Sequence, residues 1–186
     1  YLAAANIALQ MGLKPIFAEV DLETFCITSK NIEKKITSKT KLIVVSNTYG
    51  NVCDFDSIIK IGKTNKIPIL EDSAESFGSL YKKKQSGTLG DIGTYSFQAT
   101  KIITTGEGGM VVTNRDKHFI EKLKLYRNHG VKDKRYYHYV PGSNFRLTNI
   151  QAAIGCAQLK KIATIISKRK KIYHYYSDLF KNIDGL

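Results

Sequence analysis

Residues 41–76 read KLIVVSNTYGNVCDFDSIIKIGKTNKIPILEDSAES, and this stretch decides the fold. Leu42 to Ser46 is a β-rich apolar run without alternation, the pattern of a strand buried on both faces of a parallel sheet. Phe55, Ile58, Ile59 and Gly62 follow at helical spacing, and Ile67 to Leu70 is a second buried run. A strand, a helix and a strand in so short a span form a parallel crossover unit. Sheets of this kind bind ligands beyond the carboxyl ends of their strands. Glu71 and Asp72 come directly after the second run. A carboxylate there either points into a ligand crevice or caps the next turn, a common task for Asp. Taken alone, the position leaves both open.

Working outward, the alternation of helix and strand continues. Ala4, Ile7, Ala8 and Met11 mark one face of a helix closed by Gly12. Lys14 to Val20 reads as a strand and about 30 to 37 as a short helix. Downstream, Ile92 to Phe97 and Met110 to Thr113 complete the strands. Phe119, Ile120, Leu123 and Tyr126 share a helix face, and a Lys-, Tyr- and His-rich loop runs from Arg127 to Ser143. Thr148-x-x-Gln151 has capping-box spacing and opens a helix with Ile150, Ala153, Ile154 and Ala157 as its buried side. From Ile162 the apolar period runs on through Phe180 as a helix leading out of the domain. The expectation is an α/β fold with a mostly parallel central sheet flanked by helices.

The bulk numbers agree with one ordinary core. The chain has 186 residues, 42% hydrophobic and 24% charged, the balance of a globular protein. No apolar run approaches the roughly 20 residues of a membrane span, and no basic stretch precedes Tyr1 as a signal peptide would require. Cys26, Cys53 and Cys156 are far apart and odd in number, unlike a disulfide framework or a metal knuckle, so a cytoplasmic setting is expected and no metal. The net charge of +13 raises the question of nucleic acid. The lysines are scattered, however, and the tightest runs, Lys82 to Lys84 and Lys168 to Lys171, read as solvated faces, which makes nucleic acid unlikely.

Chemistry gathers after the strand ending at Phe97. There the chain reads Gln98-Ala99-Thr100-Lys101-Ile102-Ile103-Thr104-Thr105-Gly106-Glu107-Gly108-Gly109. A lysine just past a strand is a nucleophile when desolvation lowers its pKa, and pyridoxal phosphate needs such an amine. The glycines lack the Gly-Lys-Ser/Thr of a phosphate loop. One lysine beside a tight turn would be unremarkable. The combination is more specific: Lys101 as amine, Asp72 as carboxylate for a pyridinium nitrogen, and Ser96 as a hydroxyl donor to phosphate. His129 is expected to order its loop. His138, among Tyr136, Tyr137 and Tyr139, lines a substrate site or packs, and Arg146 binds an anion or forms a salt bridge.

These residues also resemble a known family. Glu71-Asp72-Ser73-Ala74-Glu75, Gly87-Thr88-Leu89-Gly90-Asp91-Ile92-Gly93, Ser96-Phe97, Thr100-Lys101, Gly106-Glu107-Gly108-Gly109, Arg127-Asn128-His129-Gly130 and Asn144-Phe145-Arg146-Leu147-Thr148 look like the DegT/DnrJ/EryC1/StrS sugar aminotransferases of fold type I, essentially end to end. The run Ile103 to Asn114 is similar to the perosamine-synthase branch, which aminates the 4-keto carbon of nucleotide-linked 6-deoxy sugars.

The resemblance implies a pyridoxal 5'-phosphate enzyme that takes its amino group from L-glutamate and gives it to a 4-keto-6-deoxy-hexose nucleotide in two half-reactions. Lys101 would carry the cofactor as a Schiff base, and Asp72 would pair with the pyridine nitrogen. Glu75 stands where many members have a Gln that contacts the ring hydroxyl. Ser96 would donate to the phosphate, and Tyr1 aligns with an aromatic residue that stacks on the ring. Asn144 matches an asparagine that reaches the neighbouring subunit's cofactor phosphate, implying a homodimer with shared sites. Amination of a 3-keto sugar, or a non-catalytic regulator, is the alternative. Asn47 departs from the family, which commonly has His there. The resemblance also implies a partial chain: residues 1–160 as the cofactor-binding large domain without its N-terminal segment, and 161–186 as a helix linking to a truncated small domain.

Overall fold

The structure, a computed structural model, describes residues 1–183 and 185. The chain divides into two compact units, Tyr1–Tyr95 with Met110–Arg146, and Ser96–Gly109 with Leu147–Leu186.

The first unit opens with helix α1 (Ala3–Gln10), which buries no residue. Ala4, Ile7, Ala8 and Met11 are at helical spacing, yet Ile7 and Met11 are exposed. Lys14 to Val20, expected as a strand, is not one. Only Val20 pairs, in a single antiparallel bridge with Ile27. A strand persists by its ladder, Pro15 has no N–H to contribute, and Ile16 and Phe17 face outward. Helix α2 (Ser29–Glu33) is shorter than expected and starts at Thr28, whose side chain accepts from Asn31 N.

The core forms where the opening stretch placed it. Strand β1 (Ile43–Ser46), helix α3 (Phe55–Asn65) and strand β2 (Ile69–Asp72) make the crossover, and β1 runs parallel to β2 with Ile43 opposite Ile69 and Ser46 opposite Asp72. Helix α3 buries Phe55, Ile58, Ile61 and Gly62, a stripe at three- and four-residue spacing. Phe55 and Ile58 are fully buried, each contributing about 2–3 kcal/mol. The helix ends at Lys66 in the left-handed conformation, and the chain turns straight into β2.

Strands β3 (Leu80–Tyr81) and β4 (Lys84–Gln85) form an antiparallel hairpin. Lys82 and Lys83, expected on a solvated face, are its two turn residues, at φ 48° and 69°. Two successive positive φ values are the signature of a type I′ turn, which Asn-Gly fills more cheaply. Strand β5 (Ile92–Ser96) runs parallel to β2, and β6 (Gly109–Thr113) follows it in the sheet order β1-β2-β5-β6. The sheet is therefore largely parallel, as expected. Helix α4 (Lys117–Arg127) is capped by Asp116, whose carboxylate accepts from Phe119 N.

In the second unit, helix α5 (Asn149–Leu159) has the full capping box of Thr148 and Gln151. Its packing face is not the expected one. Ile150 and Ile154 are exposed, and Gln151, Ala152, Gly155 and Gln158 are the half-buried positions. The glutamines decide it, because each bonds a backbone group far away in sequence, as described below. Helix α6 (Ile162–Phe180) buries no residue. Among the described residues no helix is long and apolar enough to cross a membrane, and no group of three or more metal-ligating side chains occurs.

Candidate active site

Strand β2 extends two residues further than its apolar run suggests, so Glu71 and Asp72 lie in the strand and point to opposite faces. Glu71 follows Ile69 inward and is fully buried. Its Oε1 accepts from Gly87 N at 2.6 Å, Asn47 Nδ2 at 2.8 Å, Ser73 Oγ at 3.2 Å and Ser86 Oγ at 3.3 Å. Its Oε2 accepts from Leu89 N at 2.8 Å and Gly90 N at 3.3 Å. Such a ring of donors is what makes a buried carboxylate tolerable.

Asn47 completes the ring. It is 1% exposed, its Oδ1 accepts from Cys53 N at 3.1 Å, and its backbone N donates to Asp72 O at 3.0 Å. Glycines let the loop come this close. Gly87 has φ 91°, and a Cβ on Gly93 would lie 1.7 Å from Gly87 O. Tyr95, whose hydroxyl donates to Ser86 O, has its pKa raised by burial and then by the Glu71 charge.

Asp72 is the half-buried residue at the carboxyl tip of this assembly. Its backbone is fixed by register with Ser46 on one side and Thr94 on the other, and its Oδ1 accepts from Ala74 N at 3.1 Å. The turn-capping reading of this carboxylate is thus realised, and the side chain stands at the strand tip. Glu75, three residues on, accepts from Tyr49 N at 2.9 Å through Oε2. Asn144 is exposed and bridges to Asn128, and its Oδ1 accepts from Arg146 Nε at 3.1 Å. Arg146 thereby has a neutral acceptor at hand. Tyr1 is fully exposed ahead of α1. His129 sits at φ 55°, with its backbone carbonyl 2.6 Å from His138 Nδ1.

The second unit begins with Ser96, the last residue of β5, whose Oγ accepts from Gln98 N at 3.3 Å. Lys101 lies in the following turn, half-buried, with its backbone N donating to Gln98 O at 3.0 Å. The turn is pinned along its length. Thr104 N donates to Gln158 Oε1 at 3.0 Å, Gln151 Nε2 donates to Glu107 O at 2.9 Å, and Thr105 N donates to Phe97 O at 2.9 Å. Helix α5 therefore clamps the lysine turn through two amides.

Two features fall outside this chemistry. Cys26 and Cys53, distant in sequence, are neighbours in the core, and burial followed by the Cys26 thiol pushes the Cys53 thiol far up. An open cleft of about 670 Å³ at the amino end of β2 is flanked by Lys63, Lys66 and Arg115. Its lysines suit the carboxyl end of α3, and Arg115 stands 3.9 Å from Asp91.

Comparison with known proteins matches the whole chain. The description DegT/DnrJ/EryC1/StrS aminotransferase family covers residues 1–186. GDP-perosamine synthase of Escherichia coli O157:H7 is 44% identical over 187 residues, covering all of this chain and 50% of that protein. A putative pyridoxal phosphate-dependent aminotransferase of Bacillus subtilis, EpsN, is 34% identical over 193 residues, again all of this chain and 50% of its own length. Among solved structures, the Helicobacter pylori aminotransferase PseC, involved in pseudaminic acid biosynthesis, superposes with a TM-score of 0.93 at 37% identity, over 99% of this chain and 50% of PseC. The chain thus spans about half the length of the relatives it matches.

Proposed function

Because this chain belongs to the DegT/DnrJ/EryC1/StrS aminotransferase family, we propose that it is the cofactor-binding part of a pyridoxal-phosphate-dependent sugar-nucleotide aminotransferase. The amino donor is L-glutamate, and the acceptor is a 4-keto-6-deoxy-hexose carried on a nucleoside diphosphate. One observation carries this reading: adjacent parallel strands β2 and β5 deliver a carboxylate, Asp72, and a pinned lysine turn, Lys101, at and just after their carboxyl ends. A carboxylate, an amine and a hydroxyl at Ser96 are the donor set that the cofactor's ring nitrogen, carbonyl carbon and phosphate demand.

Bound pyridoxal phosphate supplies an electron sink for the substrate carbon that loses its proton. The protein's residues do the rest. Lys101 would hold the cofactor covalently and, once its amine is free, would act as the acid and base that moves a proton to and from the substrate carbon in both half-reactions. Asp72 would pair with the ring nitrogen and keep its proton in place. The Glu71 ring keeps the Asp72 backbone from drifting. Ser96 would donate to the phosphate, Glu75 would contact the ring hydroxyl, and Tyr1 would pack against the ring. Asn144 would reach the partner subunit's cofactor phosphate in a homodimer with shared sites. In this reading residues 1–160 form the large domain, 161–186 link it to a small one, and the enzyme works in the cytoplasm.

The similarity to GDP-perosamine synthase favours a GDP-linked sugar and amination at C4. The test is turnover by the intact protein with L-glutamate and a panel of GDP-, dTDP- and UDP-linked 4-keto and 3-keto sugars. Formation of 2-oxoglutarate and a 4-amino sugar is expected, and Lys101→Ala should abolish it. Absence of any glutamate-dependent amination across the panel would refute the assignment.

A further inference from the structure

Tyr49 sits in a conformation that its side chain does not favour. Its φ and ψ are 55° and 20°, the left-handed region, where an aromatic residue is strained by its own Cβ. Gly50, next to it, is at φ 89° and is available for the same bend. Strain of this type survives only when the surroundings enforce it, and it concentrates where a side chain must be aimed.

The enforcement is visible. Tyr49 N donates to Glu75 Oε2 at 2.9 Å, Gly50 O accepts from Ser79 Oγ at 2.8 Å, and Asn51 N donates to Thr48 O at 3.0 Å. Two of these partners, Glu75 and Ser79, belong to the segment that leaves the Asp72 strand tip. What the conformation achieves for folding is small, because the Tyr49 ring is 77% exposed. Among the described residues its aromatic neighbour is Phe25, edge-on with ring centroids 5.8 Å apart. Phe25 is itself 48% exposed and at φ 55°. Two outward-facing rings, both on strained backbone, thus form one aromatic edge. The turn bearing Tyr49 leaves β1 at Ser46, the register partner of Asp72.

From this we infer that Tyr49, backed by Phe25, is a specificity-determining residue that packs against the nucleotide-linked hexose and donates from its hydroxyl to it. The inference rests on the sugar-nucleotide reading above. Glu75 then has a second task, because the carboxylate near the cofactor also holds the Tyr49 backbone and so couples cofactor site to substrate wall. A ring whose purpose was packing would be buried. A turn whose purpose was the bend alone would carry Gly or Asn.

The experiment replaces Tyr49 by Gly, and separately by Asn, the two residues that tolerate this backbone best. Three quantities are measured on the intact protein: the denaturation midpoint, the rate of the glutamate half-reaction, and binding of a GDP-linked 4-amino-6-deoxyhexose by calorimetry. The expected result is a midpoint equal to or above the parent's, a glutamate half-reaction within about twofold, and sugar-nucleotide binding weaker by roughly tenfold or more. Unchanged binding in either folded variant overturns the inference, as does failure of both to fold, which would make the ring structural. If the parent protein itself shows no glutamate half-reaction, the aminotransferase reading fails instead, and the calorimetric comparison still decides whether Tyr49 touches a nucleotide sugar.

Discussion

Replacing Glu71 by Gln keeps the shape of the side chain and removes only its charge and two-sided acceptance. The structure makes the cost calculable. Either orientation of the new amide points its NH2 at existing donors. Facing outward along the loop it meets Leu89 N and Gly90 N, and facing inward it meets Gly87 N and Asn47 Nδ2. Flipping Asn47 to accept the new donor would take Oδ1 away from Cys53 N. Each choice leaves about two buried N–H groups without an acceptor, at roughly 1–3 kcal/mol apiece.

A loss of about 3–4 kcal/mol is therefore expected from Glu71→Gln, a large part of the 5–15 kcal/mol that holds a typical domain together. Urea unfolding of the intact protein, parent against variant, should show a lower midpoint with an unaltered slope. A variant within about 0.5 kcal/mol of the parent, the range of an ordinary surface change, would mean that the carboxylate is not the acceptor around which the 86–90 loop is built.

Other outcomes follow from single contacts. Lys83→Gly removes a side chain from φ 69° in the hairpin turn and should stabilise the protein by about 1 kcal/mol, read by the same urea curves; a loss would contradict the turn. Hydrogen bonds from the Ser57 hydroxyl, then the Tyr81 phenol, hold the Asp54 carboxyl below its ordinary value. The depressed value means stability that is present above the usual Asp range near pH ~3.9 and lost as the pH falls through the lower folded value. The gap in unfolding midpoint between parent and Asp54→Asn should thus be constant above about pH 4 and close below it; a gap indifferent to acid would refute this. Among the three cysteines, Cys156 is exposed while Cys26 and Cys53 are buried. A thiol reagent should label Cys156 in the folded chain and the other two only on unfolding, and early labelling of Cys53 would count against the core described.

Much of this architecture is legible in one dimension. Strands β1 and β5 and helices α3, α4 and α5 announce themselves because their signals are local: apolar runs, helical spacing, and the Thr148–Gln151 box. Where the structure departs from these signals, the determinants often lie far off in sequence. Helix α5 turns Gln151 and Gln158 inward because the backbone of residues 104 and 107 waits there, 54 and 44 positions away. Lys14 to Val20 has strand composition and no partner beyond one bridge. The lysine turn of β3–β4 gives no warning, since its left-handed residues are the wrong types for it.

The site shows the same division. Lys101, Asp72 and Ser96 stand out in the sequence as chemistry at or just past the ends of strands. Glu71 does not, because its donors come from Asn47, Ser73 and residues 86–90, scattered over the sequence. One local clue was available: strict alternation along β2 puts Glu71 on the face of Ile69 and Asp72 on the other. Tyr49 leaves no trace in sequence, because nothing in its neighbours' identities foretells a positive φ.

We propose that Lys101 is the residue to which pyridoxal phosphate is joined. Reduction of the pyridoxal-phosphate-loaded intact protein with borohydride, followed by digestion and peptide mass analysis, reads this directly. A phosphopyridoxyl group on Lys101, absent after Lys101→Ala, is the expected result. The same label on a different lysine, or no label at all, would rule out Lys101 as the attachment point.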